Sequence, residues 1–225
     1  MGLVVRKFIG AAVILGLIVL GVVGYRVVTG VEPQAALDNA LKKTAESKSF
    51  RYSITQQMTV DGKSKLWTQV TGERSQSNTH IKGIMYGSEV DIYQIGDTLY
   101  QKDQFSKKWM VVKGSPPAAQ EVFMTELNPL SGFNFKEFGE VKYLGKEKVN
   151  GQKTQVFQCN PNIQNQLMET LWHDFSYKLY VSTKNNYLVK GVLQAKSKIK
   201  PDSILTMTVD FQDFGQGFEI KAPTK

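Results

Sequence analysis

The chain has 225 residues, with 28 Lys and Arg against 20 Asp and Glu for a formal charge of +8, two histidines and one cysteine. A single cysteine excludes an intramolecular disulfide, and no Cys/His spacing resembles a zinc site. Three basic residues and no acid fall in residues 1–28, so the remainder keeps +5 (+8 less +3), a modest surplus that reads as a solvated exterior before an affinity for anionic membranes.

The first element is apolar. Arg6 and Lys7 precede Phe8 to Tyr25, an 18-residue run without a charge, and Arg26 follows it. At 1.5 Å per residue the run spans ~27 Å, enough for a membrane core when flanking side chains snorkel. No A-x-A cleavage site follows, so residues 1–28 are expected to be a cytoplasmic stub and an uncleaved transmembrane signal anchor, a cleaved signal peptide being the alternative. Arg6 and Lys7 orient the N-terminus inward, giving a single-pass protein of the cell membrane. No cysteine lies near the end of the run, which excludes lipid attachment there. Residues 29–34 read as a linker and 35–225 as one extracytoplasmic domain, long enough for a full core.

Pro33 suits the first turn of a helix whose Ala36, Leu37, Ala40, Leu41 and Thr44 follow helical spacing. Strands take over at Phe50. Phe50, Tyr52, Ile54, Met58 and Val60 share a face, and Asp61-Gly62 marks a hairpin turn. Short strands continue through "HIKGIMY", "EVDIYQI", "TLYQK" and "KKWMVV", with Gly87, Gly96-Asp97 and "DQFS" as turns. Ser115 and Pro116 open a second helix, with Ala119, Val122, Phe123 and Leu127 as its stripe. After the loop "NPLSGFNF" come two strands joined by Asn150-Gly151, then a third helix capped by Asn160 and started by Pro161, its stripe being Ile163, Leu167, Met168, Leu171 and Trp172. Cys159 ends a strand and reads as a small buried residue. The hairpin "YKLYVSTKNNYLVKGVLQAK" turns at Asn185-Asn186, and "SILTMTVDF" closes the domain. In these last three strands the odd positions Tyr177, Leu179, Val181, Val189, Leu193, Leu205, Met207, Val209 and Phe211 are expected to point inward. A long antiparallel sheet with one apolar face must curl or be covered by helices, so the expected class is α+β: a strongly curved antiparallel sheet, an unclosed β-barrel, with helices over its concave face.

Signs of catalysis are thin. His80 and His173 have no local partner pattern, and no G-x-S-x-G, phosphate loop, dinucleotide fingerprint or H-E-x-x-H occurs. The expectation is no enzyme, no cofactor and no metal. Lysines in "GKEKVNGQK" and "QAKSKIK" alternate onto solvent faces, which argues against nucleic acid as a partner.

The order of elements, a leading helix, a strand meander, a helical insertion, more strands, a helix and a closing three-strand meander, resembles the LolA/LolB-like lipoprotein carriers, whose fold the mycobacterial lipid-transfer lipoproteins share. The segments that carry the likeness are "ALKKTAESKSFRYSITQQMTVDG", "DIYQIGDTLYQKDQFSKKWMVV" and "YKLYVSTKNNYLVKGVLQ", within residues 34–221. The resemblance implies an unclosed barrel that holds an acyl chain of a lipid or lipoprotein in an apolar concavity, in the bacterial cell envelope. The chain departs from the soluble carriers in its anchor, and the arginine that latches the lid of some carriers has no counterpart, since Arg51 and Arg74 lack a diagnostic context. Candidate ligand contacts are Tyr52, Ile54, Leu179, Val181, Leu193 and Met207 on the sheet, with Phe123, Leu127, Leu167 and Leu171 on the covering helices. Two other readings stay open: a sensor or interaction domain of the sigma-factor-regulator type with an envelope protein partner, and an inert structural domain with a filled core.

Overall fold

The computed structural model describes residues 32–114, 128–200 and 202–224. The apolar leader and the helix expected from Ser115, with Phe123 and Leu127, lie outside them. Among the described residues no helix is long and apolar enough to cross a membrane.

Helix α1 (Pro33–Ala45) has proline in its first turn and Lys42 and Lys43 in its last, where cations complement the helix dipole. It buries Leu37, Ala40 and Thr44. The Thr44 hydroxyl donates to the Ala40 carbonyl at 2.7 Å and accepts from the Leu188 N–H at 2.9 Å, tying the helix to the sheet through a fully buried pair of bonds.

The meander follows as β1 (Ser49–Val60), β2 (Lys63–Ser75), β3 (Asn78–Met85), β4 (Ser88–Ile95), β5 (Thr98–Lys102) and β6 (Trp109–Lys113). Then come a 3₁₀ turn at Ser131–Phe133, β7 (Phe135–Glu137), β8 (Val141–Val149), β9 (Gln152–Cys159), β10 (Asn162–Ile163), helix α2 (Gln166–Leu171), β11 (Trp172–Ser182), β12 (Leu188–Ser197) and β13 (Ser203–Gln212). Eleven strands form one sheet in the order β6-β5-β4-β3-β2-β1-β13-β12-β11-β9-β8, and β7 pairs with β10 as a separate ribbon. Edges β6 and β8 are not neighbours, so the sheet is unclosed. The α+β expectation is therefore weighted toward β, with few helices among the described residues. Asp61-Gly62 (φ 51° and 73°) and Asn150-Gly151 (φ 48° and 79°) take the positive φ that two-residue hairpins require.

One face of this sheet carries the main core. Tyr177, Leu179, Val181 and Leu193 join Leu205, Met207, Val209 and Phe211 there, as period-two alternation demands. Val189 does not. Val181 faces Leu188 and Tyr180 faces Lys190, so Val189 is an extra residue in a β-bulge. It packs instead with Val156 and Tyr180 in a small second cluster, and Leu188 takes the inward place.

The third helix is shorter than its stripe implies. Asn162 and Ile163 pair with Glu137 and Phe135 as a strand, which commits backbone groups a helix would need. The N-cap is Asn165 rather than Asn160: its side chain accepts the Met168 N–H at 3.0 Å. Trp172 already belongs to β11.

Candidate functional site

The segment expected to be a plain loop, "NPLSGFNF", forms one wall of a broad cleft. Asn128 starts it, its side chain accepting the Leu130 N–H at 3.1 Å and its carbonyl the Ser131 N–H at 3.1 Å. The 3₁₀ turn that follows drives the Phe133 ring onto the sheet at Gly191. A Cβ there would lie 2.4 Å from the ring, so only glycine admits this approach. Phe133 also meets Tyr177 and Phe211 edge-on, at centroid distances of 6.0 and 6.1 Å. The Tyr177 hydroxyl donates to the Gly132 carbonyl at 2.6 Å, and burial pushes its pKa well above the usual tyrosine value, so it remains a donor. Phe135 stacks edge-on against Tyr177 (4.9 Å) and Phe138 (5.4 Å), continuing the aromatic layer outward.

Between this layer, α1 and the 164–170 segment runs a cleft of about 1110 Å³. Its apolar lining is Leu41, Leu130, Phe133, Phe135, Phe138 and Leu167, and its polar lining includes Asn134, Gln164, Asn165, Gln166 and Thr170. Charges nearby are paired. Lys42 meets Asp38 at 2.7 Å, with its pKa raised by that hydrogen bond and charge, and Lys136 meets Glu169 at 2.7 Å. An apolar trough with a neutralised polar rim can hold a hydrocarbon chain and hydrogen-bond a polar head.

The structure divides the expected ligand contacts. Leu167, 39 % exposed on α2, lines the cleft. Leu171 is half-buried against the main core. Tyr52, Ile54, Leu179, Val181, Leu193 and Met207 are all buried in that core, with Leu179 and Leu193 at 0 % exposure. Ile54 and Met207 border a crevice of about 10 Å³ beside Gly132 and Met168, room for no more than one water. Phe133 thus stands as a partition, cleft on one side and the Leu179 face on the other.

Sequence reasoning missed Phe133, Phe135 and Phe138, and placed Leu41 on a helix stripe without assigning it to a site. The signal was legible: "FNFKEF" puts three aromatics in six residues, which a solvated loop does not carry.

The histidines lie elsewhere. His80 stacks on Tyr93 (3.8 Å), with Nε2 2.9 Å from Asp91 and Nδ1 3.7 Å from Glu73, beside a groove lined by Arg51, Thr71 and Lys82. His173 Nδ1 lies 3.2 Å from Asp174 at the start of β11. Cys159 is buried, and desolvation pushes its thiol up to about 12, so it is unreactive. Among the described residues no group of three or more His, Cys, Asp or Glu is placed to hold a metal ion.

No family model matches the chain, and no curated protein sequence matches it. Solved structures do. The lipoprotein LppX of Mycobacterium tuberculosis superposes with a TM-score of 0.59 at 13% identity, over 85% of this chain and 100% of that one. LprF from Mycobacterium bovis superposes with a TM-score of 0.57 at 14% identity, over 86% of this chain and 98% of that one. Identity this low carries the fold alone: the described domain shares the fold of LppX and LprF.

Proposed function

We propose that the protein is a membrane-anchored extracytoplasmic binding protein for the acyl chain of a lipid or lipoprotein, acting as a carrier or chaperone. The observation that carries this reading is the cleft of about 1110 Å³ between α1, the 128–138 segment and α2, whose lining residues Leu41, Leu130, Phe135 and Phe138 are only partly buried and whose Leu167 is exposed. Each methylene buried there contributes ~0.8 kcal/mol, so part of one chain supports micromolar binding after association costs. The shared fold with two mycobacterial lipoproteins supports an envelope location. The leader, residues 1–28, is the proposed anchor, and residues 35–225 are the proposed extracytoplasmic domain. Leu179, Leu193 and the other buried candidates form the layer behind Phe133 and would meet a ligand only where that ring yields.

A second reading has its own support. The inner sheet face is filled by the protein's own side chains, as the reading of an inert structural domain expects. Native mass spectrometry of the full chain separates the two. The carrier reading expects co-purified lipid that Leu167→Trp removes. If the wild-type chain carries no lipid and takes up no fluorescent fatty acid, the carrier reading fails.

A further inference from the structure

The two ends of the sheet differ in kind. Antiparallel order places the β1–β2, β3–β4, β5–β6 and β12–β13 connections at one end, as the pairs Thr59–Ile204 and Lys102–Trp109 fix. The β2–β3, β4–β5, β8–β9 and β11–β12 connections lie at the other. The tips at that second end are polar: Gln76-Ser77, Gly96-Asp97, Asn150-Gly151 and Thr183 to Asn186.

The first end carries large apolar side chains in water. Phe105, in the β5–β6 loop, is 95 % exposed, and Ile199, in the β12–β13 loop, is 78 % exposed. Tyr86 projects from the β3–β4 turn against Trp67. Neither loop is slack. Asp103 accepts the Ser106 N–H at 2.7 Å and the Ser106 hydroxyl at 2.6 Å, and Lys107 N–H donates to the Asp103 carbonyl at 3.0 Å, which fixes the turn that presents Phe105. Lys198 N–H donates to the Leu171 carbonyl at 2.9 Å and its ammonium to the Glu169 carbonyl at 2.5 Å, which ties the Ile199 loop to α2 and so to the cleft. Ordering an exposed Phe and Ile at the tips of bonded loops leaves apolar surface in water with no return inside the domain.

Charge identifies what covers it. Phe105 is followed by Lys107 and Lys108, Ile199 lies between Lys198 and Lys200, and Lys63 and Lys65 open β2 at the same end; the acids of these loops are Asp61, Asp103 and Asp202, and Lys107 pairs with Glu89 at 3.2 Å. Apolar tips between lysines, with Trp67 and Trp109 half-buried at the same strand ends, fit the interface of an anionic bilayer, where the ring enters the acyl boundary and the ammonium groups stay among headgroups.

We infer that this end of the sheet is a membrane-docking surface, with Phe105 and Ile199 as inserting tips, which seats the α2 side of the cleft against the lipid surface. The inference is independent of what the cleft holds.

The test uses the full chain reconstituted with vesicles of phosphatidylcholine alone or with phosphatidylglycerol. In a Cys159→Ala background, an environment-sensitive label is placed at Phe105→Cys, Ile199→Cys or, as the far-end control, Asn185→Cys. On the charged vesicles the labels at 105 and 199 are expected to shift to the blue and to be quenched by lipid-borne quenchers, while that at 185 stays wet. At 1 M salt, where the screening length falls to about 3 Å, the shift should weaken. In the unsubstituted chain, hydrogen exchange of residues 103–108 and 198–202 should slow on the charged vesicles. Equal behaviour at 105, 199 and 185, or no exchange protection of the native loops, overturns the inference.

Discussion

Replacing Phe133 with alanine tests whether its ring separates cleft from core. The side chain is nearly buried, and removing it deletes two edge-on aromatic contacts, with Tyr177 and Phe211. Each such pair is worth roughly 0.5–1.5 kcal/mol beyond area, and burial of the ring adds about 1.5–3 kcal/mol. The sum agrees with the ~3–5 kcal/mol usual for Phe→Ala in a core. Because the void would open onto an existing cleft rather than remain sealed, the expected loss is at the low end, about 3 kcal/mol. For a domain of this size that lowers Tm by about 6–12 °C. The variant should also bind longer fatty acids than wild type, since the cleft would then reach the face bearing Leu179 and Leu193. Calorimetry and a chain-length series measure both. A loss below about 1 kcal/mol with an unchanged chain-length preference refutes the partition.

Leu193→Trp, at a fully buried site, should overpack the core and cost about 1–3 kcal/mol, whereas Leu167→Trp, on the exposed side of α2, should stay within about 0.5 kcal/mol and block fatty-acid uptake; the reverse pattern in melting and binding assays would place the pocket under Leu193. Thr44→Val keeps the shape but leaves the Leu188 N–H without its acceptor in a buried setting, an expected loss of about 1–3 kcal/mol by denaturant titration. Cys159 should ignore thiol reagents at pH 8 in the native state and react on unfolding; fast native labelling would contradict its burial. The Asp103 pKa is lowered by hydrogen bonds from Ser106, so its contribution to loop order is complete above the unfolded value and is lost as pH falls through the lower folded one. The Ser106 amide shift should therefore titrate with a midpoint below that of an unfolded peptide, and a midpoint at or above it would show the turn to be unformed.

Much of this architecture was legible because period-two alternation and hairpin turns are local signals. Helix α1, the β1–β6 meander, the Asn150-Gly151 turn and β13 could be placed from residues a few positions apart. The failures were tertiary. The bulge at Val189 follows from how β12 registers on β11, which alternation in one strand does not contain. The helix expected from Asn160 gave way because β7 offered Asn162 and Ile163 a partner, a contact between distant segments. The candidate site suffered most. Inward-facing residues were readable, but whether they lined a pocket or a packed interior depended on Phe133, whose ring needs a glycine in β12 to land on.

The pairing of β1 with β13 bears on how the chain is made. Arg51 contacts Asp213 across 162 positions, and among the described strands the two halves of the sheet are paired along this seam. Contacts that distant close slowly, and here they cannot close until the final strand has been synthesised. Until then β1 has one unpaired side and the inner face has no opposite wall. A chain built this way postpones its compact state until nearly the whole domain has emerged, a property that the proposed extracytoplasmic location would put to use during export. It also leaves a long edge open to wrong partners in the interval, so a truncation that removes β13 should aggregate rather than persist as a smaller folded unit.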